Sequence, residues 1–255
     1  MSKVRKPFAM KQFTIAHDKV ALPVTSDACL FGSMIDLPQT LENKSQPLKN
    51  VLDVGTGTGL LCLMLAQKHP HLNFVGIDIH GASVEQALQN VINSPFNNQI
   101  RIDLANILSF SPKEPFDAIV CNPPFFEHQL PSSDETRRIA RHSDTLNLNN
   151  LLLACHEILI TQGYLYILYP VVDPTWLLST LQFAQFELSK LTYIRATETK
   201  KPHLMLIQAK SLPKTNNSSP SHPHFETETI THYQTNGQLT PEATHYLQEF
   251  YSSLP

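Results

Sequence analysis

From residue 50 onward the chain alternates short apolar runs with stretches of helical periodicity. The runs at 50–54, 74–79, 100–104, 116–121 and 164–169 are each five or six residues long and rich in aliphatic and aromatic side chains. Such short continuous runs between turn residues read as strands buried on both faces. Between them, 60–68, 83–93, 148–160 and 174–185 have the length and apolar spacing of helices. Ser83 is expected to cap the second of these, Gly163 to end the third, and Pro174 to begin the fourth. The stretch 109–115 is short and proline-rich, so that crossover reduces to a loop. Two last runs, 186–195 and 204–209, predict a closing hairpin and one antiparallel edge strand.

Strands separated by helices predict an α/β fold. The expected architecture is a Rossmann-like, doubly wound, mostly parallel seven-stranded sheet with an antiparallel terminal hairpin. An amino-terminal extension, 1–49, precedes this 50–210 domain. A polar linker, 211–226, leads to a carboxyl-terminal tail, 227–255, with a short helix after Thr240 and Pro241. No internal repeat is found.

Composition narrows the chemistry. The chain has 255 residues and 42% hydrophobic content, enough for a full-sized core. A net charge of -3 gives no overall positive field, although a local basic patch could still bind nucleic acid. Cys29, Cys62, Cys121 and Cys155 are far apart and form no C-x-x-C pair, and reduced thiols are expected. No run reaches the roughly 18 apolar residues of a membrane span, and the basic amino terminus lacks the apolar stretch of a secretory signal. The expectation is a cytoplasmic monomer.

Only eight glycines occur, yet three of them, Gly55, Gly57 and Gly59, fall inside the segment DVGTGTG at 53–59. This segment lies between a predicted strand and a predicted helix, where a doubly wound sheet holds its ligand. Side chains at Gly55 and Gly57 would keep a ligand away from the backbone. Asp78 ends the next strand, about 20 residues on, where a carboxylate can accept hydrogen bonds from ribose hydroxyls. Leu60 stands where a nicotinamide-binding fingerprint needs glycine. A carboxylate at Asp53 also suits a cationic ligand such as S-adenosyl-L-methionine better than a pyrophosphate. The bland alternative is a tight turn with no ligand.

Asn122, Pro123, Pro124 and Phe125 follow the fourth predicted strand and so share that rim. An exocyclic amine on a base, or a side-chain amide, is a poor nucleophile because its lone pair is delocalised. The Asn122 side-chain oxygen and the Pro123 carbonyl can both accept hydrogen bonds from such an NH2 group, localising the lone pair and stabilising the developing positive charge. Paired prolines stiffen the loop, and Phe125 offers a face on which a base can stack. The competing reading is that Pro-Pro ends a strand and Phe125 is core.

Taken together, these motifs resemble a class I methyltransferase of the amino-methylating kind. KQFTIAHD at 11–18, TSDACLFG at 25–32, ETRRIARH at 135–142 and the tail at 237–251 are similar to the bacterial tRNA1(Val) adenine-N6 methyltransferase family. The resemblance implies methylation of N6 of adenine 37 in a valine tRNA, with S-adenosyl-L-methionine as cofactor. It further implies that Asp53, Gly55 and Gly57 line the methionine side of the cofactor, that Asp78 holds its ribose, and that Thr25 and Asp27 close the site. Asn122, Pro123 and Phe125 would hold the base. Asn106 stands where such enzymes often have an aspartate for the cofactor's adenine, and Ser26 separates Thr25 from Asp27. Phe125 replaces the usual tyrosine, which leaves a guanine-N2 ribosomal RNA enzyme as an alternative. A glutamine methyltransferase of release factors and an RNA-binding module with the same fold are the others.

Basic residues cluster in three places: Lys3, Arg5, Lys6, Lys11 and Lys19; then Arg137, Arg138 and Arg141; then Arg195, Lys200 and Lys201. Each suits an RNA backbone, or equally an ordinary solvated face. Lys6, Lys11, Arg137, Arg138 and Arg141 are the candidates for RNA contact. Twelve histidines are dispersed without metal-site spacing, so no metal is expected.

Overall fold

Residues 6–18, 20, 23–40, 47–123, 147–214 and 225–252 are described by a computed structural model. The amino-terminal segment forms a small hairpin, β1 (Phe8–Ala9) and β2 (Thr14–Ile15), and then helix α1 (Ser26–Met34). The alternation read from the sequence follows: β3 (Asn50–Val54), α2 (Leu60–Lys68), β4 (Asn73–Asp78), α3 (Gly81–Ile92), β5 (Ile100–Leu104) and β6 (Phe116–Cys121). The crossover from β5 to β6 has only a 3-10 turn, Ile107–Ser109, as expected for its short, proline-rich sequence. Beyond it come α4 (Leu148–Ile158), β7 (Leu159–Pro170), α5 (Pro174–Phe183), β8 (Phe186–Arg195), β9 (Leu204–Ser211), β10 (Glu226–Thr231) and α6 (Pro241–Leu247).

The main sheet runs β10-β8-β9-β7-β6-β3-β4-β5. Only β9 is antiparallel to its neighbours. The sheet therefore has eight strands rather than seven, and the antiparallel strand is internal rather than at the edge. Side-chain pattern explains both differences. In β9, Leu204 and Leu206 enter one core while Met205 and Ile207 enter the other, so the strand needs cover on both faces. The sequence of β10, ETETIT, is polar and half exposed, which hid it from a search for apolar runs. Charged side chains on an edge strand also discourage pairing with other chains.

Two apolar layers sandwich the sheet. Val51, Val120, Tyr166 and Leu206 pack with Phe31, Leu61, Leu63 and Leu247 on one face. Leu52, Ile119, Ile167 and Ile207 pack with Leu151, Leu152, Leu177 and Leu181 on the other. The carboxyl-terminal segment joins the first layer, with Phe250 fully buried and its carbonyl accepting from Lys11 N at 2.7 Å.

Two local expectations change. Helix α3 starts at Gly81 after His80, which places Ser83 inside the first turn rather than at the cap. Gly163 does not end a helix. The helix stops at Ile158, and a Cβ on Gly163 would lie 2.9 Å from the Ile160 carbonyl and 3.1 Å from that of Asp117. Close backbone approach across β6 and β7, where the register shifts, is what requires glycine there.

Candidate active site

After β5 the chain returns to the other side of β3 as β6, so strand order reverses between those two neighbours. That reversal opens a crevice at the carboxyl ends of the strands. The turn after β3 and the Asn122 loop after β6 flank it. Val54 pairs with Cys121, which sets Gly55 beside Asn122 at the next step of both strands. Asn122 is half-buried and Pro123 is buried.

The glycine turn is tied to β4 by two backbone bonds, from Gly55 N and Thr56 N to the Ile77 carbonyl at 2.8 and 2.9 Å. Gly55, Gly57 and Gly59 adopt φ of 71°, 56° and 79°, a left-handed region that other residues enter only with strain. A Cβ on Gly55 would meet nothing within 4 Å, so open space lies above the turn and backbone conformation itself demands glycine. Gly59 adds close packing, since its Cβ would stand 3.4 Å from that of Ala87 on α3. Gly76 was not singled out from the sequence, yet a Cβ there would lie 2.7 Å from the Thr56 hydroxyl.

Asp53 is buried beneath this turn. Its Oδ2 accepts from the Thr56 hydroxyl at 2.7 Å and from the Cys62 thiol at 3.5 Å. Oδ1 is buried and has no hydrogen-bond partner. Burial pushes the carboxyl up to about 6, against the opposing pull of those donors; the Asp78 carboxylate adds a smaller upward push. A buried carboxylate oxygen with no donor is ready for a cation or a donor from a ligand.

Asp78 closes β4, and its carboxylate organises the rim. Oδ2 accepts from Gly57 N at 3.0 Å and Oδ1 from His80 N at 2.8 Å. An ionised carboxylate has about four acceptor positions, so lone pairs remain for a ligand. Ile79, Leu104 and Leu108 surround this end of the rim with exposed apolar side chains, at 60%, 62% and 45% exposure. Periodicity placed Ile79 and Leu104 at strand ends without revealing that they face open space. The Asn106 side-chain oxygen caps the 3-10 turn by accepting from Leu108 N at 3.0 Å.

Thr25 and Asp27 stand at the start of the amino-terminal helix. The Thr25 hydroxyl caps α1, accepting from Ala28 N at 3.2 Å. Asp27 Oδ1 stands 3.3 Å from His232 Nδ1, and its Oδ2 stands 3.5 Å from His203 Nε2. The hydrogen bond from His232 is the main reason the Asp27 carboxyl lies below its ordinary value. His203 precedes β9 and His232 follows β10, so Asp27 sits on the same rim but at its far end. Among the described residues no hydrogen bond joins it to the glycine turn.

Of the expected RNA contacts, Lys6 is exposed, while Lys11 donates its ammonium to the Gln248 carbonyl at 2.5 Å and holds the carboxyl-terminal segment. Pro124, Phe125, Arg137, Arg138 and Arg141 lie outside the described residues. Among the described residues no cluster of three metal-ligating side chains occurs, and no helix is long and apolar enough to cross a membrane.

A family model described as Methyltransferase small domain matches residues 31–164. The tRNA1(Val) (adenine(37)-N6)-methyltransferase of Aliivibrio salmonicida is 33% identical over 210 residues, covering 82% of this chain and 86% of that protein. A relative of the same name from Phocaeicola vulgatus is 34% identical over 203 residues, covering 80% and 83%. Among solved structures, a predicted O-methyltransferase, protein Atu636 from Agrobacterium tumefaciens, matches with a TM-score of 0.62 over 87% of this chain and 95% of that one. At 14% identity that likeness establishes a shared fold.

Proposed function

The chain belongs to the family of tRNA1(Val) (adenine(37)-N6)-methyltransferases, and on that premise we propose that it transfers a methyl group from S-adenosyl-L-methionine to N6 of adenine 37 in a cytoplasmic valine tRNA. One observation carries the reading: strand register sets Asn122 beside Gly55, with the unpartnered oxygen of Asp53 buried beneath the same turn.

The residues present fit the cofactor. Asp53 Oδ1 would take its ammonium group, the open space at Gly55 would admit its methionine chain, and the free lone pairs of Asp78 would accept from its ribose hydroxyls. Ile79 and Leu104 offer an apolar bed for its adenine, with Asn106 beside them. When bound, S-adenosyl-L-methionine supplies an electrophilic methyl group on a sulfonium.

The protein's own part is to make the amine a better nucleophile. The Asn122 side-chain oxygen and the Pro123 carbonyl would accept from the exocyclic NH2 and stabilise the positive charge that nitrogen gains as the methyl group leaves the sulfonium for it, until a proton is lost from that nitrogen to solvent. Pro123 is buried at the end of β6, which holds those acceptors in place. Phe125 would stack on the base, and Arg137, Arg138, Arg141 and Lys6 would meet the RNA backbone.

Incubation with labelled S-adenosyl-L-methionine and total tRNA lacking the modification tests this reading. Label should appear as N6-methyladenine in one valine tRNA. Transfer to ribosomal RNA or a release factor instead, with none to tRNA, would overturn it.

A further inference from the structure

The rim continues past the reaction loop into a region that the methyl-transfer site does not use. Ile167 pairs with Cys121, and β7 runs three residues further, so its end lies beyond that of β6. Val171 follows, half-exposed, and its backbone N–H donates to the His203 carbonyl at 3.2 Å, joining this edge to the hairpin between β8 and β9. Asp173 then caps α5 and accepts from Trp176 N at 3.0 Å, which fixes the first turn of the helix. Leu177 and Leu181 on that helix are buried, yet Trp176 remains 44% exposed.

The hairpin tip is braced. Arg195 donates from Nε to the Thr231 hydroxyl at 2.8 Å and from Nη1 to the Glu198 carbonyl at 3.2 Å, and Lys200 N closes a turn onto the Thr197 carbonyl at 3.0 Å. Arg195 therefore shapes the turn, while Lys200 and Lys201 are exposed on it. Glu198 is the acidic side chain of the tip, so two lysines against one carboxylate leave it positive.

We infer that this edge is the track for the single-stranded RNA beside the target base, with Trp176 stacking on a flanking nucleobase and Lys200 and Lys201 meeting its phosphates. The inference rests on the proposed tRNA reading and deepens it. Two features favour RNA over a protein partner: an exposed aromatic and exposed lysines on segments that follow and precede paired strands, and continuity with the rim proposed to hold the acceptor base. Scale agrees. The start of β9 lies two strand spacings from the end of β6, about 10 Å, the reach of about three stacked nucleotides at about 3.4 Å each.

Trp176 is the sole tryptophan of the chain, so tryptophan emission, excited at wavelengths that tyrosine does not absorb, reports on this edge alone. Titrating the full chain with unmethylated valine tRNA should quench that emission to saturation. Trp176→Ala should raise KM for tRNA on the order of tenfold, the scale of one lost stacking contact, without changing kcat or KM for S-adenosyl-L-methionine. Trp176→Phe should restore most of the loss. Lys200→Ala and Lys201→Ala should each lower the slope of log affinity against log salt by about 0.7. Normal tRNA methylation with unchanged emission, and a wild-type KM for Trp176→Ala, would overturn the inference. Absence of transfer to any tRNA by the unmodified chain would overturn the underlying reading and this inference with it.

Discussion

The two ends of the rim are built in opposite ways. At the glycine turn most of the bonds that shape the site come from the adjoining strands, Thr56 to Asp53, Gly57 and His80 to Asp78, Gly55 and Thr56 to Ile77, and Asn90 on the next helix adds one to the Thr58 carbonyl. At the far end, Asp27, His203 and His232 come from the amino-terminal helix, the hairpin and the segment after the last strand. The first end is mostly a strand–turn–helix motif with its neighbouring strand, which short-range sequence can specify. The second is a clasp that exists only once the whole chain has folded. Chemistry should therefore fail when the first is altered, and the fold should weaken when the second is altered.

The largest effect expected is on turnover. Asn122→Ala removes one of the two acceptors proposed for the reacting amine, and loss of one such preorganised group costs about 10²–10³ in kcat. Cofactor affinity, measured by calorimetry, should stay nearly unchanged because Asp53 and Asp78 are intact. If affinity fell as far as the rate, Asn122 would belong to the cofactor site instead.

Asp53 sets the next effect. Its carboxyl is raised to about 6, so the folded protein holds this proton more tightly than the unfolded chain does. That contribution to stability falls as pH rises from about 4 to about 6, and the cost is complete above 6. A shift from 3.8 to about 6 corresponds to about 3 kcal/mol at about 1.4 kcal/mol per unit. Cofactor binding should run the other way, because a cationic ammonium favours the ionised carboxylate and affinity rises through pH 6. Asp53→Asn should flatten that profile, weaken binding, and stabilise the cofactor-free protein above pH 6. A profile of unchanged steepness in the variant would remove Asp53 from the ammonium site.

The same contrast decides what could be read from the sequence. Gly55, Gly57 and Gly59 stood out because glycine is scarce elsewhere, and Asp78 because it ends the next apolar run. The sheet's parallel part followed from apolar runs at helix-length intervals. Strand β10 was not legible, because the side chains of ETETIT are those of an exposed edge and only pairing with β8 makes it a strand. Gly76 and Gly163 carried no local signal, since the atoms that forbid a Cβ there come from neighbouring segments. Lys11 was one of several cations near the amino terminus. Its carbonyl partner lies 237 residues away.

The clasp gives the smallest expected effect and the sharpest separation of the two ends. His232 is 1% exposed, stacks on Tyr233 with ring centroids 4.1 Å apart, and supplies the hydrogen bond that most lowers the Asp27 carboxyl. His232→Ala leaves Asp27 without that partner and should cost about 1–3 kcal/mol in urea unfolding. A carboxyl held below its ordinary value stabilises the fold above the unfolded-state value, and that stability is lost as pH falls through the folded-state value. The gap between wild type and variant should therefore be full above pH 3.8 and shrink below it. Because the glycine turn is bonded to β4, to Cys62 on α2 and to Asn90 on α3, and among the described residues no hydrogen bond joins it to Asp27 or His232, affinity for S-adenosyl-L-methionine should fall far less than it does in Asp53→Asn. A loss of affinity in His232→Ala as large as that of Asp53→Asn would mean that Asp27 reaches the cofactor and that the two ends of the rim act as one site.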